Sequence, residues 1–108
     1  MIRYGDEQWA ELEFKSFRYG VQRRDGQWID VTLVPVMADR TPLPADLVDF
    51  SIVAVCTHQG HPIQLITQDE GVDCEYQLTE FEQEQINAFV RSEEVRLAVR
   101  AAADRVEQ

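Results

Sequence analysis

Leu78-Thr79-Glu80-Phe81-Glu82-Gln83 is where this chain changes its periodicity, and that change decides the fold. Before it, apolar residues recur with period two or in short runs. After it they recur at helical spacing to the end. Thr79 followed three residues on by Glu82 is a capping box, in which the hydroxyl takes one free first-turn amide and the carboxylate reaches back to another. Glu80, Glu82 and Glu84 also suit the positive end of a helix dipole. Ser92-Glu93-Glu94 reads as a second start, so residues 80–106 form two helices or one bent helix. Val95, Val99, Ala102 and Val106 then make a narrow apolar stripe suited to close packing.

Upstream of Leu78 the pattern is that of strands. Ala10, Leu12 and Phe14 share one parity, whereas Phe17, Tyr19 and Val21 share the other, which predicts a bulge near Lys15-Ser16. Arg24-Asp25-Gly26 divides residues 17–23 from 27–36 as a hairpin. Keeping the apolar parity predicts a three-residue loop with Val21 opposite Ile29, Tyr19 opposite Val31 and Phe17 opposite Leu33. Gly26 would then take the left-handed position. Residues 39–46 read as a loop around Pro42 and Pro44, and residues 44–50 as either loop or short helix. Ser51–Thr57 reads as a buried strand, and Ile63–Gln68 and Val72–Leu78 as a second hairpin around Asp69-Glu70-Gly71. The expected class is α+β: an antiparallel sheet of about five strands over residues 9–78, then a C-terminal helix or helix pair over 80–106 packed on one face. At 108 residues this is one domain, 1–108.

The charge is unevenly placed. The formal net charge is −10. Residues 1–40 carry −1 and residues 91–108 carry zero. Between Arg40 and Arg91 lie nine acids and no Lys or Arg: Asp46, Asp49, Asp69, Glu70, Asp73, Glu75, Glu80, Glu82 and Glu84. Such a block repels nucleic acid and anionic membrane and attracts basic protein surfaces. No run approaches a membrane span. The first seven residues have no apolar run after Arg3, so no secretory signal is expected. Two cysteines are too few for a disulfide framework, which favours a cytoplasmic setting.

Cys56, His58, His61 and Cys74 contain both cysteines and both histidines within nineteen residues. Cys56 and His58 would project on one strand face, with Cys74 on a neighbouring hairpin, and such a set could hold zinc. The spacing is not a common zinc pattern, and buried Cys residues ordinarily fill small gaps in sheet cores. Cys56-Thr57-His58-Gln59-Gly60-His61-Pro62 resembles the first ligand box of Rieske iron–sulfur proteins, and Cys74-Glu75-Tyr76 sits where their second box would begin. The last ligand position holds Gln77, which does not replace an imidazole, and a capped helix stands where further strands should follow. No iron–sulfur function is carried over, and no cofactor is expected.

There is no phosphate-cradling glycine loop and no nucleophile elbow. Arg18, Arg23, Arg24 and Trp28 read as a mixed solvated face, and no catalytic residue is assigned. The expectation is therefore a small acidic binding or regulatory protein, not an enzyme. It would engage a basic partner protein through residues 46–84, with Asp69, Glu70, Asp73, Glu75, Glu80, Glu82 and Glu84 as contact groups. It would bind neither nucleic acid nor membrane, and a homodimer stays open. The alternatives are a zinc domain on Cys56, His58, His61 and Cys74, and acidity that serves solubility only.

Overall fold

A computed structural model describes residues 1–3, 12–37 and 47–104. Among the described residues nine elements run β1 (Ile2–Arg3), β2 (Phe14–Arg23), β3 (Ile29–Met37), β4 (Phe50–Cys56), β5 (Pro62–Asp69), β6 (Val72–Asp73), β7 (Tyr76–Gln77), α1 (Glu80–Val90) and α2 (Glu93–Ala103). The fold is α+β. Strands β2-β3-β4-β5-β6 form a five-stranded antiparallel sheet in sequence order, and β1 pairs with β7 beside it.

Burial alternates along β2 and the first half of β3, whereas central β4 also buries Val53 and Val55 on its other face. Ile29, Val31 and Leu33 of β3 and Phe50, Ile52, Ala54 and Cys56 of β4 enter one core with Ile86 and Val90 of α1 and Val95, Val99 and Ala102 of α2. The two helices close this face. Val95, Val99 and Ala102 are the expected stripe, while Val106 and the expected loop 39–46 lie outside the described residues. Phe17, Phe89 and Tyr19 stack at 4.9 and 5.6 Å between ring centroids, tying β2 to α1. Tyr19 donates from its hydroxyl to Glu94 Oε1 at 3.1 Å, tying β2 to α2.

The bulge between Phe14 and Ser16 is present. The first hairpin corrects the expected register. Val21 pairs with Val31, not Ile29; Tyr19 pairs with Leu33 and Phe17 with Pro35. The apolar parity is as read, but the loop is longer by two residues. Asp25 explains this, because its Oδ1 accepts from Gln27 N at 2.8 Å and Trp28 N at 2.9 Å, while Arg24 N donates to Trp28 O at 3.0 Å. The aspartate side chain closes the loop, so no left-handed residue is needed, and Gly26 is not among the positive-φ residues. The second hairpin closes more tightly than read. Asp69 pairs with Val72, which leaves a two-residue Glu70-Gly71 loop with φ of 53° and 80°. Positive φ at both positions is the type I′ solution that matches strand twist.

The change of period at Thr79 is realised as a complete capping box. Thr79 Oγ1 accepts from Glu82 N at 3.2 Å, and Thr79 N donates to Glu82 Oε1 at 2.9 Å. Ser92 is the N-cap of α2 without a side-chain cap bond, so the helical segment is two helices. No helix among the described residues is long and apolar enough to cross a membrane.

Candidate functional site

Among the described residues, the sheet order leaves the outer side of residues 62–66 in β5 without a strand partner. β6 pairs with it only through Gln68 and Asp69. Cys74 N then reaches Thr67 O at 3.0 Å, and Thr67 Oγ1 donates to Tyr76 O at 2.6 Å. Beyond this point the chain leaves β5 to pair with β1. Between the diverging segments and α1 lies a cleft of about 380 Å³. Its walls are residues 62–65 and Thr67 of β5, residues 76–78, and Gln83 and Asn87 of α1. Ile63 on this rim is 54 % exposed. The Oδ1 atom of Asn87 is buried and has no hydrogen-bond partner among the described residues.

The acids sort into three environments. Asp49, Asp69, Glu70 and Asp73 gather at the β5–β6 turn: Asp69 Oδ1 accepts from Val48 N at 3.0 Å and Asp49 N at 2.7 Å, and Glu70 N donates to Asp49 O at 3.0 Å. Gln68 Nε2 donates to Asp73 Oδ1 at 3.0 Å. Glu70 and Asp73 are exposed, whereas Asp69 is half-buried and already occupied by two backbone amides. Glu80 and Glu84 are exposed one turn apart on α1, each three residues before a cleft-lining residue, Gln83 or Asn87, and so beside the cleft. Glu75 is exposed on the connection between the two groups. Asp46 lies outside the described residues.

Glu82 is the correction. It is 0 % exposed and cannot serve as a surface contact. Besides its part in the cap, its Oε2 accepts from the Met1 α-ammonium at 2.5 Å and from Leu12 N at 2.8 Å. The next helix turn repeats the attachment, with Gln85 accepting from Phe14 N at 2.8 Å and donating to Leu12 O at 2.9 Å. The helix start thus anchors Leu12 and the first residue of β2.

The four Cys and His residues do not assemble. Among the described residues no group of three or more His, Cys, Asp or Glu side chains is placed to hold a metal. Cys56 points into the core, its thiol donating to Ala54 O at 3.6 Å. Burial, and secondarily the Asp30 carboxylate, push that thiol up to about 11, so it is not a ready thiolate ligand. The resembling segment is a turn closed by Thr57 N to His61 O and Gly60 N to Thr57 O, each at 3.0 Å. His61 lines a second cavity, of about 360 Å³, with Gly60, Arg91 and Arg96, and the two guanidiniums repel a cation there. His58 Nε2 is buried without a hydrogen-bond partner among the described residues, and Cys74 packs half-buried against the core.

Sequence reasoning missed the cleft, with Gln83 and Asn87, and the inward role of Glu82 and Gln85. Pro62 gave no signal for the cleft, because the first residue of a strand accepts proline wherever the strand lies in the sheet. Compared with protein-family models, curated proteins and solved structures, the chain matches none.

Proposed function

We propose that this chain is a non-enzymatic, cytoplasmic binding protein that engages a basic surface of a partner protein. The contact groups are Glu70 and Asp73 at the β5–β6 turn, Glu75 on the connection, and Glu80 and Glu84 along α1, with Asp69 holding the turn in shape. One observation carries the reading: residues 41–90 contain nine acids and no Lys or Arg, and of these Glu80 and Glu84 are exposed on α1, one turn before the cleft-lining Gln83 and Asn87. The exposed ion pair of Arg24 with Asp30, at 2.6 Å, lies outside this block. Asp73 acts on Arg24 only as the weakest of the influences that raise it. Charges of this kind govern encounter and partner choice more than final affinity.

Capture from a native lysate at low and at high salt tests the reading. A partner retained at low salt, released at high salt and basic on its contact surface supports it. A partner with a neutral or acidic contact surface leaves acidity as a solubility device. Tight nucleic-acid binding in a gel shift at physiological salt defeats the reading outright, because it would bring this block against a polyanion.

A further inference from the structure

We infer that the partner contributes an extended, basic segment that adds as a strand to the free side of β5, above the β5–α1 cleft; this rests on the acidic binding reading above. The backbone supplies the first argument. Thr67 turns its carbonyl away from β4 to accept from Cys74 N. Backbone direction alternates along a strand, so Leu65 turns both its N–H and its C=O the same way. β4 already satisfies the opposite side of β5, from Phe50 against Asp69 to Cys56 against Pro62. Among the described residues no strand pairs with the outer side of residues 62–66. An open edge of this kind is a template for one more strand.

The cleft supplies the second argument. Leu65 and Thr67 share the core-facing parity with their partners Ala54 and Ile52. A side chain on an added strand opposite Leu65 therefore points to the helix side, into the space walled by Leu78, Gln83 and Asn87. The wall is mixed: apolar at Leu65 and Leu78, amide-rich at Gln77, Gln83 and Asn87. Lys and Arg suit such a wall, since their stems cover apolar surface while their heads stay in water. A head leaving this space past Gln83 or Asn87 meets Glu80 and Glu84. The unpartnered Asn87 Oδ1 offers one further acceptor for a cationic donor.

Charge also selects the occupant. A second copy would bring a chain of net charge −10 against the same acids, whereas a basic strand is attracted. The segment expected is short and β-prone, with Lys or Arg at alternate positions facing the helix.

The test uses the intact chain and a fluorescent alternating lysine–threonine peptide of about eight residues, a typical strand length, at low ionic strength. A control peptide carries proline in place of a central threonine. The unmodified peptide should bind, with the Leu65 amide gaining protection from hydrogen exchange. The proline peptide should bind about tenfold more weakly, since it loses ladder hydrogen bonds at equal charge. Glu80→Lys with Glu84→Lys should weaken binding by a similar factor. Leu65→Pro, which removes the outward amide, should do likewise, and the peptide-side control covers the case in which this variant does not fold. Equal binding of both peptides, with charge reversal still abolishing it, overturns strand addition and leaves the acidic face standing. Failure of both basic peptides to bind overturns strand addition and the acidic binding reading together. Self-association of the chain that Leu65→Pro dissolves would seat a second copy on the edge and overturn the basic-segment assignment.

Discussion

Glu82 shows at the scale of one residue how a surface-looking carboxylate becomes structural. It is fully buried, yet it receives Thr79 N, Leu12 N and the Met1 ammonium. A buried carboxylate is tolerated when its lone pairs are filled in this way, and removing it strands the donors. Glu82→Ala should therefore cost about 3–5 kcal/mol in urea unfolding. Thr79→Ala, which removes only the hydroxyl half of the cap, should cost about 1 kcal/mol. Equal losses would mean that the carboxylate serves the cap alone. The local half of this arrangement was legible, because a capping box is written within four consecutive residues. The distant half was not, because Leu12 lies 70 positions away and nothing local to Glu82 announces it. Cys56 makes the opposite case. Its burial followed from an apolar strand, and its thiol is held up to about 11. It should resist alkylation at pH 8 in the native protein and react once urea unfolds the chain, as mass spectrometry would read.

At the scale of elements, sidedness was legible and closure was not. The parities of Phe17, Tyr19, Val21, Ile29, Val31 and Leu33 follow from which side chains avoid water, and a one-residue slip would expose all of them. The loop length between them depended on the Asp25 carboxylate capping Gln27 and Trp28, a choice of a few hydrogen bonds that apolar spacing does not record. Those same two amides hold the Asp25 carboxyl below its usual value. The glycines divide accordingly. Gly60 sits at φ 86°, and a Cβ there would approach Arg96 Cγ to 3.2 Å, so this turn packs directly on α2. Gly60→Ala should destabilise by about 1 kcal/mol or more. Gly26, with negative φ and nothing within 4 Å of an added Cβ, should accept alanine within about 0.5 kcal/mol. Thermal unfolding of the two variants side by side checks the pair. The cleft escaped sequence reading for a related reason: it exists because the chain leaves β5 after Cys74, and divergence of backbone leaves no periodic signature.

For the whole molecule, the balance of titrations sets the useful pH range. The Cys56 thiol has a folded value near 11 against an ordinary 9.0. The folded state therefore holds the proton more tightly, and stability is fully present below 9.0 and falls between there and about 11. Tyr19, raised by burial and by the Glu94 carboxylate, acts in the same sense at high pH. Asp25 acts in the other: its contribution is present above the ordinary 3.8 and is lost as pH falls through its lower folded value. Through these groups stability declines at both ends of the range, with Cys56→Ala flattening the alkaline decline in urea unfolding followed against pH. The class was legible from the change of period at Thr79, and the charge block from composition alone. In the proposed function the block acts on encounter with a basic partner, and the most direct measurement of this is the association rate constant of the captured partner, followed as salt shortens the Debye length from about 10 Å to about 3 Å. Glu70→Lys, Asp73→Lys and Glu84→Lys together form the comparison chain, with Asp69 left intact because it holds the turn. The account predicts association that slows with salt and slows further on charge reversal, with dissociation changing much less. Association rates indifferent to both salt and reversal would contradict it.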